Sequence, residues 1–267
     1  MKIFGRRPER YILGLKALPS FLVALWRVFI IFRHPLIIIW SYILRKPLRD
    51  GTVRLRNGRV IYLSEDSADI VTIFLIFARE DYGKIIPGTI IIDIGANIGV
   101  FALFAAFSGA KRVYAFEPCA SSYELMLKNI RANGLGSIIH ANCLAVVGFH
   151  IKSVKFPRHS NVMNAILSDF SDYDDYNLVQ TITLPEIISH LNSVDLLKLD
   201  CEGAEYDILL QAGNTVIQKI REIRMEYHCG PIDKIIARMD SIGYAVRQFI
   251  SENHGGGYLW LIRTKAL

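Results

Sequence analysis

Paired cysteines and an export signal are both lacking in this sequence. Its 267 residues include four cysteines, and no two of them form a Cys-x-x-Cys pair. The N-terminal stretch has no small-residue cleavage site, and basic residues follow its apolar run, so it does not have the pattern of a secretory signal peptide. Reduced thiols in a cytoplasmic setting are therefore expected. No metal site is assigned, because the cysteines have no ligand-like spacing.

Acidic residues are nearly absent from the first 49 positions. This segment has ten lysines and arginines against a single acid, Glu9, which gives it a net charge of +9. The whole chain carries +6, so the remainder is mildly acidic at −3. A protein that acts on nucleic acid is expected to carry a basic face on its folded domain. Here the basic residues flank an apolar stretch instead, which favours anionic lipid head groups over nucleic acid as a partner.

Residues 20–45 form that apolar stretch, which is long enough to cross a bilayer, since a membrane-spanning helix needs roughly 20 residues. Arg27 and Arg33 oppose a simple span, because each costs about 2.5–3.5 kcal/mol at the bilayer centre. Pro35 is expected to kink or split the helix. Three arrangements fit: a monotopic anchor, a single kinked span, and a helix pair packed on the folded domain. We expect membrane association through residues 20–45, with the rest of the protein cytoplasmic.

After this arm, assigned to residues 1–50, the chain alternates apolar strands with helices. Residues 52–63 predict a hairpin with a two-residue turn at Asn57-Gly58, which opens a domain assigned to residues 51–267. Strands are predicted at 90–94, 112–116, 137–141, 194–199, 221–227, 243–249 and 257–263, and helices at 98–107, 120–132, 184–190, 203–211 and 231–241. An extra strand is predicted within 146–156, followed by a loop over the site at 157–178. This alternation predicts an α/β fold with a mainly parallel sheet flanked by helices.

One strand-turn-helix unit has the features of an adenosine site. Strand 90–94 contains Asp93 and leads into the turn Gly95-Ala96-Asn97-Ile98-Gly99. A second strand ends about twenty residues later at Glu117-Pro118. Glycines at such a turn let the backbone approach a ligand, and the acidic side chain accepts hydrogen bonds from ribose hydroxyls.

The middle glycine of a dinucleotide fingerprint is missing from this turn. Dinucleotide sites use G-x-G-x-x-G, in which the second glycine leaves room for a pyrophosphate. Asn97 occupies that position here. A side chain there disfavours a nicotinamide dinucleotide and favours S-adenosylmethionine, which has no phosphates and whose ribose would reach Glu117. The alternative is a plain αβ crossover whose glycines only permit close packing.

Three motifs together resemble the FkbM family of S-adenosylmethionine-dependent methyltransferases. They are Asp93 to Gly99, Phe116-Glu117-Pro118, and Leu197 to Glu205, which reads Leu-Lys-Leu-Asp-Cys-Glu-Gly-Ala-Glu. The resemblance covers roughly residues 52–263, and its third motif is the most distinctive. It implies a doubly wound, Rossmann-like seven-stranded sheet with an antiparallel last strand, and methyl transfer, usually to oxygen. The resemblance does not name the acceptor.

The predicted site lies beyond the carboxyl ends of the strands, where ligands of such sheets bind. Cofactor contacts are assigned to Asp93, Gly95, Asn97, Gly99, Glu117, Pro118 and Asn142. Proton removal from the acceptor is assigned to Asp200, Glu202 and His228. Glu205 is expected to support the turn at Gly203 from the first turn of a helix. A divalent metal at Asp200 is an alternative, for which no second carboxylate is placed at an assured distance.

The sequence thus predicts a membrane-associated O-methyltransferase that acts on a sugar, lipid-linked or other small amphiphilic acceptor. A tRNA methyltransferase is one alternative, and the acidic folded domain and the lack of an Asn-Pro-Pro-Tyr type motif disfavour it. A non-catalytic membrane-binding module that retains the cofactor fold is another.

Overall fold

The computed structural model describes residues 21–157, 176–251 and 255–264. The chain divides into two compact units, Met1–Gly83 and Lys84–Leu267. The division falls later than the boundary predicted after residue 50, because the hairpin belongs with the helices before it. Phe32 forms a β-bridge with Leu55, and the Arg56 side chain donates to the Phe29 carbonyl oxygen at 2.8 Å.

The first unit consists of helices and one hairpin. Its elements are α1 (21–31), α2 (Pro35–Leu44), β1 (Thr52–Arg54), β2 (Val60–Tyr62), α3 (Ala68–Ile73) and a π-helix (Phe74–Arg79). The predicted break at Pro35 is confirmed: α2 starts with the proline, where its missing N–H is not needed. The hairpin is also confirmed. The predicted two-residue turn at Asn57-Gly58 is wrong, since only Gly58 of the pair has positive φ. Within the described ranges, no helix is both long and apolar enough to cross a membrane.

The second unit is a doubly wound α/β domain. Its strands are β3 (Ile90–Ile94), β4 (Arg112–Phe116), β5 (Ile139–Asn142), β6 (Ala145–Val147), β7 (Ser153–Pro157), β8 (Tyr176–Thr183), β9 (Val194–Leu199), β10 (Ile220–Tyr227), β11 (Tyr244–Ser251) and β12 (Gly257–Arg263). Its helices are α4 (Val100–Phe107), α5 (Ala120–Ala132), α6 (Leu184–Ser189), α7 (Glu205–Gln211), α8 (Asn214–Ile217) and α9 (Ile232–Ser241).

Seven strands form the main sheet in the order β11-β12-β10-β9-β3-β4-β5. Neighbours from β10 to β5 pair in parallel, whereas β12 runs antiparallel to both β10 and β11. The predicted fold class and its antiparallel last strand are therefore confirmed. The central strands β3 and β9 are rich in apolar residues because helices cover both faces of the sheet, and Ile91, Ile92 and Leu197 are fully buried.

A second, three-stranded sheet was not predicted as such. It has the order β6-β8-β7, with β8 parallel to β6 and antiparallel to β7. The extra strand predicted within 146–156 is two strands, and the loop predicted at 157–178 ends at Tyr176, where β8 begins. Residues 158–175 of that loop lie outside the described residues.

From β3 the chain first builds the sheet to one side, through β4 and β5, and later to the other side, starting with β9. The crevice at such a reversal is the usual ligand site of doubly wound folds. The carboxyl ends of β3, β4, β9 and β10 meet at this edge, and each is followed by residues of the three sequence motifs or by His228.

Candidate active site

Two glycines of the turn after β3 lie so close to neighbouring residues that a side chain would not fit at either position. Gly95 has φ of +75°, and a Cβ at this position would lie 1.7 Å from the carbonyl oxygen of Asp200. Gly99 has φ of +86°, and a Cβ there would lie 2.8 Å from Cγ of Met126. Both glycines are therefore required by packing within the protein, against the end of β9 and against α5, whatever ligand binds at the turn.

Glu117 connects the ends of β3 and β4. Its Oε2 accepts a hydrogen bond from the Asn97 N–H at 2.7 Å, and its Oε1 accepts one from the Cys119 N–H at 2.8 Å. The side chain is 6% exposed. Burial raises the pKa of Glu117 to about 7, although these two N–H donors favour its charged form. Glu117 is therefore a carboxylate with a fixed orientation at the base of the crevice.

The turn has an acceptor atom that suits a polar ligand. Asn97 adopts φ of +50°, and its side-chain Oδ1 is buried with no hydrogen-bond partner among the described residues. Each carboxylate oxygen of Glu117 also retains acceptor capacity beyond its one N–H donor. These atoms fit S-adenosylmethionine, whose ribose hydroxyls and amino group are donors. The predicted contacts of Gly95, Asn97, Gly99, Glu117 and Pro118 stay predictions.

Asn142 lies at the end of β5 and has partners in the backbone. Its side-chain amide donates to the carbonyl oxygens of Ala115 at 3.3 Å and His140 at 3.1 Å. Its backbone carbonyl oxygen accepts from the Glu117 N–H at 3.1 Å. Asn142 therefore fixes the position of Glu117 through the backbone, and its predicted contact with the cofactor stays a prediction.

Lys198 joins the cofactor turn to the end of β9. This buried lysine donates from Nζ to the Gly95 carbonyl oxygen at 2.8 Å and lies 3.2 Å from Asp93 Oδ1 and 3.5 Å from Asp200 Oδ2. Burial alone would lower the pKa of Lys198, but Asp93 and Asp200 outweigh it and hold the pKa above its ordinary value. Asp93 thus has an ionic partner inside the protein, and its predicted contact with the cofactor stays a prediction.

Glu202 and Glu205 lie in the turn between β9 and α7. Glu202 adopts φ of +54°, a conformation that non-glycine residues seldom adopt. Glu205 is fully buried, and its carboxylate accepts from the N–H groups of Cys201 at 2.8 Å and Gly203 at 2.7 Å. The predicted support of the Gly203 turn by Glu205 is confirmed.

His228 follows β10 and faces both glutamates. Its Nδ1 lies 3.1 Å from Glu205 Oε1, and its Nε2 lies 3.2 Å from Glu202 Oε2. The hydrogen bond to Glu205 is the main reason why the pKa of His228 is raised, to about 9. The ring is then an imidazolium at neutral pH, so in this arrangement the predicted role as a base suits the carboxylates of Asp200 and Glu202 better than His228. All three assignments stay predictions.

Sequence reasoning assigned no role to two residues that the structure places in the site. Lys198 was quoted only as part of a motif, and its contacts follow from the register that sets it beside Asp93. Glu226 lies at the end of β10, and its carboxylate, the Asp200 carboxylate and the His228 ring have ligand atoms within 4.8 Å of one another. The spacing of Glu226 and His228, two residues apart at a strand end, was the available signal.

Comparison with known proteins agrees with the motifs. Residues 93–254, more than half of the chain, match the model of the methyltransferase FkbM domain. The 31-O-demethyl-FK506 methyltransferase FkbM of Streptomyces tacrolimicus is 22% identical over 231 residues, which cover 73% of this chain and 89% of that protein. The AMB antimetabolite synthetase AmbE of Pseudomonas aeruginosa is 25% identical over 221 residues. That match covers 65% of this chain, which spans only 10% of AmbE.

Solved structures with similar folds include M. capricolum TrmK in complex with S-adenosyl-homocysteine. It is 14% identical, has a TM-score of 0.44, and the match covers 68% of this chain and 65% of TrmK. The sheet order, the site geometry and the domain match agree. This chain belongs to the FkbM family of S-adenosylmethionine-dependent methyltransferases.

Proposed function

We propose that this methyltransferase methylates a hydroxyl oxygen of a small amphiphilic acceptor, a sugar or a lipid-linked molecule, at a membrane surface. The observation that carries this proposal is the carboxylate-lined edge beside the cofactor turn, where Asp200 and Glu202 follow β9 directly. A carboxylate at this place is suited to take the proton of a hydroxyl during transfer. The relative named as a 31-O-demethyl-FK506 methyltransferase supports oxygen as the acceptor atom.

The cofactor side of the site is the turn after β3 together with Glu117. S-adenosylmethionine supplies an activated methyl group when bound. Glu117 would accept hydrogen bonds from the ribose hydroxyls, and the buried Oδ1 of Asn97 would accept one from a polar group near the turn. The hydrogen bonds that fix Glu117 to the Asn97 and Cys119 backbone orient its carboxylate before the ligand arrives.

The acceptor side of the site performs proton removal and positioning. The acceptor oxygen forms a bond to the methyl carbon while the carbon–sulfur bond breaks, and the electron pair of that bond goes to sulfur. The proton of the hydroxyl passes to Asp200 or Glu202. Methyl transfer of this kind requires alignment of the acceptor with the methyl group, so the protein contributes mainly orientation and the base.

The membrane part of the proposal is supported by the orientation of α1 and α2. Ten large apolar side chains between residues 21 and 44 are exposed, among them Trp26 at 64% and Trp40 at 59%. Arg27 faces inward instead: it donates to the Ala78 carbonyl oxygen at 3.0 Å and forms an ion pair with Glu80 at 2.9 Å. The helices bury apolar side chains on one side, Ala24, Val28 and Ile38 among them, and expose large apolar side chains on the other. Exposed apolar side chains in this number mark an interaction surface.

Charge complementarity supports an anionic lipid bilayer as the occupant of this surface. The net charge of +9 in the first 49 residues suits anionic head groups, and exposed tryptophans prefer the interface between head groups and acyl chains. Helices that lie in the interface bury an apolar face of this kind in the bilayer without crossing it. An acceptor with a lipid portion would then meet the enzyme at the surface of the membrane.

A methyl-transfer assay tests the acceptor class. The full-length protein is incubated with cofactor carrying a labelled methyl group and with separated lipid, glycan and RNA fractions. Label in the lipid or glycan fraction as an alkali-stable ether is the expected result. Label in RNA would overturn the proposal in favour of the tRNA alternative, and cofactor binding without transfer to any fraction would favour the non-catalytic module.

A further inference from the structure

A cluster of three side chains lies at the acceptor edge of the main sheet. Asp200 follows β9, and Glu226 and His228 lie at and just after the end of β10, the strand next to it. The register pairs Leu199 with Met225, which brings the residues beyond them together. The ligand atoms of the three side chains lie within 4.8 Å of one another, and all three side chains are half-buried. Two carboxylates and an imidazole at this spacing are a ligand set for a divalent cation.

The orientation of the histidine is set from behind by a buried carboxylate. Glu205 is fully buried, lies on α7, and places its Oε1 3.1 Å from Nδ1 of His228. Metal-binding histidines generally make such a contact, in which one ring nitrogen donates to a carboxylate and the other binds the ion. Nε2 of His228 lies 3.2 Å from Glu202 Oε2, so an ion bound there would replace the Nε2 proton, which is released to solvent on binding. Glu205 is itself held by the Cys201 and Gly203 N–H groups, so the ring position is rigidly defined. This second contact is independent of the spacing of the three ligands.

The local charge also favours the binding of a cation. Four carboxylates, those of Asp200, Glu202, Glu205 and Glu226, are connected through His228 and through the cluster. Two groups contribute positive charge, the His228 ring and Lys198, but Lys198 lies 3.5 Å from Asp200 and also faces Asp93. The negative charge at this edge therefore exceeds the positive charge, and a divalent cation would relieve the repulsion among the carboxylates.

We propose that Asp200, Glu226 and His228 bind one divalent cation of the Mg²⁺ and Mn²⁺ class. Oxygen-rich ligand sets with one imidazole suit these ions, and the remaining coordination positions would be taken by water and by the acceptor. The role of the ion rests on the proposed function: it would hold the acceptor hydroxyl beside the base and favour loss of its proton. Glu205 would be a positioning residue that acts through His228.

Mn²⁺ binding to the full-length protein tests this directly, by titration calorimetry and by the electron paramagnetic resonance signal of free Mn²⁺. One ion should bind per chain, and Mg²⁺ should displace it. Glu226→Gln and Asp200→Asn should each weaken binding more than about tenfold, and Glu205→Gln by about 10–100-fold, as expected for a partner of a metal-binding histidine. Asp240→Asn is the matched control, because this carboxyl is exposed on α9, and its binding should be unchanged.

A second measurement covers variants that fold poorly. Mn²⁺ should raise the melting temperature of the wild-type protein and of Asp240→Asn, but not that of Glu226→Gln, since an ion stabilises only a protein that binds it. Absence of Mn²⁺ binding by the wild type, or binding that Glu226→Gln leaves intact, overturns the proposal.

The metal proposal and the proposed function fail in different ways. Full methyl transfer in the presence of EDTA, with no Mn²⁺ binding, overturns the metal site and leaves the methyltransferase activity standing. Stoichiometric Mn²⁺ binding that depends on Glu226, without methyl transfer to any hydroxyl acceptor, supports the metal site and overturns O-methylation.

Discussion

At the scale of single residues, Glu117 carries the clearest prediction. Both of its oxygens accept backbone N–H groups, and the carboxylate is buried where the cofactor ribose is expected. Glu117→Gln replaces one acceptor oxygen by a donor. Because hydrogen bonds to charged groups contribute about 1.5–3 kcal/mol, we expect S-adenosylmethionine to bind roughly 10–100-fold more weakly, as measured by titration calorimetry. Glu65→Gln is the control, because Glu65 is an exposed glutamate of the first unit and its replacement should leave the affinity unchanged. Equal affinity in wild type and Glu117→Gln would contradict the ribose role of Glu117.

The pKa of Glu117 gives a pH dependence with a defined sign. Burial raises it from an ordinary 4.5 to about 7, so between these values the folded protein retains a proton that the unfolded chain has lost. The contribution of this group to stability is thus greatest below pH 4.5 and is lost as the pH rises through about 7. Cofactor binding has the opposite trend, because the ionised carboxylate is the better acceptor. We expect affinity at pH 6 to be up to about tenfold weaker than at pH 8. The same slope in Glu117→Gln would show that another group is responsible.

Glu202 is the residue whose replacement should affect the chemical step. Loss of a positioned general base lowers rates by about 10²–10⁴-fold, so Glu202→Gln should reduce kcat within this range and leave cofactor affinity unchanged. The measurement is a steady-state assay with the acceptor that the transfer assay identifies. Asp207→Asn removes an exposed carboxyl in the first turn of α7 and should retain full kcat. Full activity of Glu202→Gln would assign the base to Asp200.

The sequence identified the motif residues but not the contacts among them. Glu117, Asn97 and the Leu197 to Glu205 motif are recognisable because each follows a strand at a fixed distance along the chain. The contact of Lys198 with Asp93 depends on the register between β3 and β9, and that of His228 with Glu205 joins two separate elements. Register and packing between distant segments have no local pattern, so these contacts required the structure.

At the scale of elements, α1 and α2 carry a prediction about membrane binding. Trp26 and Trp40 are more than half exposed, so the double variant Trp26→Ser/Trp40→Ser should fold normally and lose most of its binding to vesicles of anionic lipid. Co-sedimentation with the vesicles measures the loss. Phe249→Ser on β11, also an exposed aromatic, should bind like the wild type. Vesicle binding that survives the double variant would remove these helices as the contact surface.

Strands and helices were predicted where periodicity is strong and missed where it is weak. Strands β3, β4, β9 and β12 were predicted with their observed bounds, because each is a short run rich in apolar residues. The three-stranded sheet was missed because β8 is half-exposed and follows a stretch rich in aspartate. The hairpin turn was wrong because Asn-Gly is a preference, and the five residues 55–59 form a longer loop here.

At the scale of the whole molecule, the charge is divided unevenly along the chain. The N-terminal 49 residues carry +9 and the remainder −3. Attraction to anionic lipid falls off within a Debye length, which shortens from about 10 Å at 0.1 M salt to 3 Å at 1 M. Vesicle binding should therefore weaken as salt is raised over this range, and a part due to apolar burial should persist. Equal binding to neutral and anionic vesicles would contradict the electrostatic contribution.

The contact between Gly95 and the carbonyl of Asp200 limits how this enzyme can be redesigned. One side of that contact belongs to the turn that is expected to hold the cofactor, and the other to the strand end that is expected to hold the acceptor. Lys198 connects the same two sides a second time, through the Gly95 carbonyl oxygen and the Asp200 carboxylate. A library that varies acceptor specificity at position 200 will therefore also alter cofactor affinity, and substitutions at the two sites should be selected together.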